Sequence, residues 1–222
     1  MKNNNLILFV LLYLVNTLVS ASEKEKGLTI SGYLDASYTQ IKIENEPSEK
    51  NLKIDTVDLI LNYQWNNELS FETHLVSGND KDTELEQAYL AYQLTDNVKI
   101  NVGKFLSIQG FEAYHAPDLY QYSTSATLVY PGMMNALSIS FQNNMFTIYG
   151  AVMASAWDNK DSNFNEGAYE AAIKLRPAKG VNLHAGYVSE EMPNGLERTL
   201  TNIWGSYQKG NFITHFCSNS DC

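Results

Sequence analysis

The chain has 222 residues, 25 acidic and 15 basic side chains, and a formal net charge of −10. That balance argues against nucleic-acid binding, which calls for a basic stripe. The length suits one domain, and the cysteines Cys217 and Cys222 fit neither a zinc pattern nor a thioredoxin-type motif.

The N-terminus reads as an export signal. Lys2 and three asparagines precede an apolar run from Leu6 to Val15, and Val19-Ser20-Ala21 forms a small-residue cleavage site. The run is ten residues, too short to span a bilayer as a helix. Cleavage after Ala21 removes only Lys2 among the charges, so 201 residues with a net charge of −11 remain. Ser22, not a cysteine, stands directly after the site, so nothing there suggests a lipid anchor. The exported location permits a disulfide, and whether Cys217 and Cys222 pair stays open.

From Leu28 onward, short stretches of period-two hydrophobicity follow one another. In the first, Leu28, Ile30, Leu34, Ala36 and Tyr38 share one face, and Thr29, Ser31, Tyr33, Asp35 and Ser37 the other. Side chains alternate across a strand, so an apolar face is backed by a polar one. After a charged loop, Lys42 to Lys53, the second strand sets Val57, Leu59, Leu61, Tyr63 and Trp65 against Asp58, Asn62 and Gln64. Asn66-Asn67 is read as a tight turn, since asparagine tolerates positive φ.

Leu69, Phe71, Thr73 and Leu75 then oppose Ser70, Glu72 and His74, and Gly78 to Glu84 is read as a polar loop. A strand around Ala88–Leu94 turns at Thr95-Asp96-Asn97 into Val98, Ile100 and Val102, with Lys99 on the polar side. The longest connection follows, Leu106 to Met134. Leu137–Phe141 and Phe146–Ala154 flank an Asn143-Asn144 turn. After an Asp/Asn-rich loop, Tyr169, Ala171, Ile173 and Leu175 are backed by Glu170, Lys174 and Arg176. A turn at 177–180, a strand over Val181–Tyr187, a Pro193-Asn194-Gly195 loop, and two last strands, Thr199–Tyr207 and Asn211–Phe216, complete about eleven.

Connections alternate between turns and loops, and aromatics (Tyr63, Trp65, Phe71, Tyr92, Phe141, Phe146) gather beside the turns. Both features suit an all-β, up-and-down antiparallel transmembrane β-barrel with one aromatic girdle. A soluble β-sandwich also has one apolar and one wet face. Strands near ten residues, alternating loop lengths and one-sided aromatics weigh against it.

The segment Gly103-Lys104-Phe105-Leu106-Ser107-Ile108-Gln109-Gly110-Phe111-Glu112 resembles the Gly-Lys-Phe…Gly-x-Glu segment of outer-membrane β-barrel porins of Gram-negative bacteria. Tyr122-Ser123-Thr124-Ser125, Tyr130-Pro131-Gly132 and Ala156-Trp157-Asp158 with Asn163 match in order, with Ser155-Ala156 where Asn-Gly is usual. The resemblance implies passive diffusion of small hydrophilic solutes or ions through a water-filled lumen in the outer membrane. Implied partners are outer-membrane lipid and lipopolysaccharide, with a possible homo-oligomer.

The 106–134 connection, third on the loop side, resembles in length the third loop of general porins, which implies that it folds into the lumen and narrows it. Glu112, His115 and Asp118 then supply charge at a constriction; the bland alternative is an exposed loop with solvated charges. Lys104 either opposes them across the lumen or, sharing the register of Val102, snorkels at the interface. Further lumen candidates by register are Asp35, Asp58, Glu72, His74, Lys99, Glu170, Lys174 and Arg176. The acidic balance suggests a mild cation preference.

No metal or cofactor is expected: an EF-hand reading from Asp161 fails because Gly167 falls one place late and Ala172 stands where glutamate is needed. His184 and Asn182 share a lumen-facing register, but no Gly-x-Ser-x-Gly, His-Glu-x-x-His or paired-carboxylate motif accompanies them, so an enzyme is not expected. The reading from another class is a non-conducting surface barrel, an adhesin or structural envelope protein, with a plugged lumen.

Eleven strands depart from the even number of bacterial single-chain barrels, and the end Phe216-Cys217-Ser218-Asn219-Ser220-Asp221-Cys222 is polar. The expectation is an incomplete larger barrel lacking its C-terminal strands, as a fragment or frameshifted product; the alternative is a merged or split strand and a count of ten or twelve.

Overall fold

A computed structural model describes residues 27–41, 49–79, 81–110, 130–158, 163–164, 167–192, 195–210 and 212–221. The signal segment 1–21, the Tyr122–Ser125 match and the candidates Glu112, His115 and Asp118 lie outside them. The strands are β1 (Gly27–Ile41), β2 (Glu49–Gln64), β3 (Leu69–Gly78), β4 (Lys81–Thr95), β5 (Val98–Leu106), β6 (Met133–Gln142), β7 (Phe146–Met153), β8 (Ala168–Leu175), β9 (Val181–Glu191), β10 (Glu197–Lys209) and β11 (Phe212–Asp221). They form one sheet in strict sequence order, antiparallel at each of its ten junctions. The sheet is open, with β1 and β11 as its edges, the arrangement of an incomplete up-and-down barrel.

The turn residues act through their side chains. Asn66 Oδ1 accepts the Glu68 and Leu69 amides at 2.8 and 2.7 Å. Asn143 Oδ1 accepts those of Met145 and Phe146, both at 2.9 Å. Thr95 Oγ1 does the same for Asn97 and Val98 at 3.3 and 3.1 Å. These contacts close the chain between β2 and β3, β6 and β7, and β4 and β5. The aromatics beside two of these turns pack on one another: Tyr63 on Trp65 (4.8 Å between centroids) and Phe141 on Phe146 (5.6 Å).

One expected loop is absent. β3 runs to Gly78 and β4 begins at Lys81, so most of the 78–84 segment continues the ladder. Likewise β2 begins at Glu49, inside the stretch read as a charged loop. The apolar alternation fades at these strand ends, but backbone hydrogen bonds do not require apolar side chains, and the hairpins extend as polar ladders. Bulges at His74/Leu75 and Val76/Gly78 accompany the tight reversal.

Burial settles which face points where. On β6, Leu137 and Ile139 are 48% and 53% exposed, while Ser138 between them is 2% exposed. On β8, Tyr169 and Ile173 are exposed and Glu170 is buried. Val102, Ile148, Val152, Leu183, Tyr187 and Ile203 repeat the pattern. A soluble sandwich would bury the apolar register; here it forms the outer surface, a continuous apolar band that only lipid would cover. Among the described residues no helix is long and apolar enough to cross a membrane.

The inner face is not polar throughout. Met134, Met153, Ala156, Ala168, Val188 and Leu200 pack there as a buried cluster at the loop-side ends of β6–β10. Apolar side chains sit at this end because incoming loop segments cover it.

Candidate functional site

The connection after β5 turns inward at once. Ser107 Oγ donates to Glu170 Oε1 on β8 at 2.6 Å, and the Ile108 amide donates to the same oxygen at 3.0 Å. Gln109 Nε2 donates to the Ala171 carbonyl at 3.4 Å, and Gln109 Oε1 lies 3.4 Å from His184 Nε2 on β9. The Gly110 amide donates to Asn202 Oδ1 on β10 at 3.1 Å. From the other root, Tyr130 Oη lies 3.4 Å from Asn202 Nδ2. Both ends of the connection are therefore tied to the inner wall of β8–β10. Gly186 makes the approach possible: a Cβ there would overlap the Gln109 carboxamide.

The wall residues that hold the connection are buried and polar. Glu170 is 2%, His184 3% and Asn202 0% exposed. Their burial is offset by these hydrogen bonds, the usual condition for polar groups out of water. A second carboxylate, Glu190, anchors the next loop: it accepts Ser155 Oγ at 2.6 Å and the Ala156 amide at 3.1 Å.

Below the loop root, toward the turns, lies a cavity of about 490 Å³ lined by Lys174, Arg176, His184 and Trp204 among others, with Ile108 and Gly110 as its roof. His184 stacks on Trp204, with centroids 5.0 Å apart and planes inclined by 7°. Lys174 Nζ sits 5.3 Å from the Trp204 ring centre, within cation–π range. Arg176 is braced by the Asn143 carbonyl at 3.3 Å and Thr147 Oγ1 at 2.7 Å.

Acidic groups line a different arc, β2–β4. Glu72 accepts Tyr89 Oη at 2.8 Å and Asn62 Nδ2 at 3.0 Å. The His74 ring nitrogens lie 3.2 Å from Glu72 and 3.5 Å from the buried Asp58. Asp58, His74 and Glu86 bring one ligand atom each within 4.8 Å of one another, so this cluster has the donors to hold a metal ion.

The register candidates distribute as follows. Asp35, Asp58, Glu72, Lys99, Glu170 and Lys174 share the inner register of their strands, and Arg176, one residue past the end of β8, lines the same cavity as Lys174. Lys104 does not: it pairs with Ala88 on the outward register, and its Nζ donates to the Leu85 carbonyl at 3.2 Å. Gln109, Asn202 and Trp204 went unselected in the sequence. A signal existed for two of them, since period-two counting along Leu200–Gln208 puts Asn202 and a large Trp204 on the polar register.

The sequence from residue 27 to 219 matches the family described as "Putative beta-barrel porin-2, OmpL-like". The chain belongs to this porin family. The match takes in all eleven strands but the last residues of β11. Membership assigns the protein to the outer membrane and to a porin-type role. Among solved structures, a double mutant of the Rh. blastica porin is similar at 11% identity and a TM-score of 0.43, with 87% of this chain and 84% of that chain covered. OmpT of Vibrio cholerae, folded in vitro and in trimer form, is similar at 11% identity and a TM-score of 0.27, with 88% of this chain and 89% of that chain covered. No curated protein matches.

Proposed function

We propose that this porin lets small hydrophilic solutes or ions diffuse passively across the outer membrane, through a lumen narrowed by the 106–134 connection. One observation carries the reading: the two roots of that connection are bonded to the inner wall of β8–β10, through Glu170, His184 and Asn202. A loop held inside reduces the free cross-section and brings its own side chains into the path. Glu112, His115 and Asp118 lie in sequence between those two roots, and they are the candidates for charge at the constriction. The reading requires no nucleophile–base pair, since the role it assigns is diffusion rather than catalysis.

The reading includes export through the 1–21 signal, insertion into outer-membrane lipid beside lipopolysaccharide, and assembly with further copies. The test is single-channel conductance in planar bilayers, with protein extracted from its own outer membrane. Discrete steps that grow when residues 111–129 are deleted support the porin. Inserted protein that stays silent with and without the loop supports the plugged surface barrel instead.

A further inference from the structure

The inner wall of β5–β10 is basic on its turn-side half, although the whole chain carries a net charge of −10. Lys99 and Lys174 occupy inner-register positions there, Arg176 lies one residue past the end of β8, and the inner-register carboxylates of these strands, Glu170 and Glu190, stand at the loop side. Both of those carboxylates are engaged by loop roots. Among the described residues, neither Lys174 nor Arg176 forms an ion pair. The carboxylates Asp58, Glu72 and Glu86 lie on β2–β4, where they face His74 and one another.

Lys174 is the last-but-one residue of β8 and Arg176 lies one residue beyond its end; the Arg176 head group reaches Thr147 on β7, and that of Lys174 reaches Trp204 on β10. Both residues line the same cavity, so a solute inside it meets two cationic head groups. Arg176 uses two N–H donors on Asn143 and Thr147, which orient it, and a guanidinium has five. Lys174 is steadied against Trp204, and His184 closes the same ring system. Two positive head groups, one braced by hydrogen bonds and one by a ring, thus line a cavity of about 490 Å³ with no carboxylate among its described lining residues. Neutral donors, Asn182, Ser206 and Gln208, complete its polar side.

We infer that the Lys174–Arg176 face of this cavity is a subsite for small oxyanionic solutes, carboxylates or phosphates, beneath the loop root at Ile108 and Gly110. The inference rests on the porin reading for the route by which solute arrives, and it names the solute class at that site. It runs against the cation preference suggested by net charge, because a charge a few ångströms away outweighs distant ones that salt screens.

Binding and conduction separate the two ideas. Full-length protein folded in detergent is titrated with inorganic phosphate and, separately, succinate, while tryptophan fluorescence is followed; Trp204→Phe assigns the signal. A saturable change, weakened tenfold or more in Lys174→Gln/Arg176→Gln and restored in Lys174→Arg, is the expected result. The phosphate and succinate arms show which oxyanion is preferred. No saturable change, or an equal response in the double variant, overturns the subsite. Reversal potentials in a salt gradient give the second readout: an anion-leaning wild type that shifts toward cations in the double variant is expected, and an unshifted potential overturns it. Binding without conductance would sink the porin reading and keep the subsite. Conductance without binding would do the reverse.

Discussion

Ser107, the first residue after β5, donates to Glu170 of β8 at 2.6 Å, across 63 positions of sequence. The Ile108 amide shares that oxygen. One buried carboxylate thus sets the direction in which the longest connection leaves the sheet. Replacing Glu170 with alanine would strand two donors away from water. Such a loss costs about 1–3 kcal/mol per buried group. The expected outcome is a barrel that still folds but carries a loosened loop, read as faster proteolysis within residues 111–129 and larger single-channel conductance.

Gly186 and Gln109 form a pair defined by space. Gly186→Val should push the Gln109 carboxamide off β9 and free the loop root, with a conductance increase resembling that of the Glu170 variant. Adding Gln109→Ala should recover part of the lost stability, because the clash disappears. A double-mutant cycle in urea is expected to give a coupling of about 1 kcal/mol. Strict additivity would contradict the contact.

The outward register of β6 is a lipid surface. Leu137→Arg should destabilise the protein folded into vesicles by about 2–4 kcal/mol, the cost of an arginine near the bilayer midplane of a barrel. Ser140→Arg, three residues along but facing inward, should cost less than half as much. Equal costs at the two positions would mean that the two faces are not lipid and lumen.

Asn143 closes the β6–β7 turn with two backbone amides at 2.9 Å. Asn143→Ala removes both acceptor contacts and also leaves the residue without its local turn-forming side chain. The expected loss is about 1–2 kcal/mol, measured by urea unfolding.

Much of the fold was legible in the residues. Alternation along β6 and β8 named the side chains that share a face, and Asn66 and Asn143 marked turns whose side-chain bonds are now visible. The extended β3–β4 hairpin was not legible, because Ser77, Asp82 and Glu84 break the apolar alternation while their backbones keep pairing. Lys104 shared the apolar register of Val102, and its contact with the Leu85 carbonyl follows from that position. The basic cavity was half legible: Lys174 and Arg176 were named by register, but their neighbours His184 and Trp204 belong to strands whose adjacency only the sheet order supplies.

The division has a physical reason. Side-chain alternation is a property of the extended backbone itself, so the sequence alone determined which residues lie together on each strand, where the turns fall and that one face is apolar. Alternation is symmetric, and does not say whether the apolar face looks inward or outward. The closeness of Ser107 to Glu170, and of Gly110 to Asn202 across 92 positions, depends on how the strands between them curl, and no local pattern encodes that. The tertiary structure decided both the outward apolar face and the inward course of the loop roots.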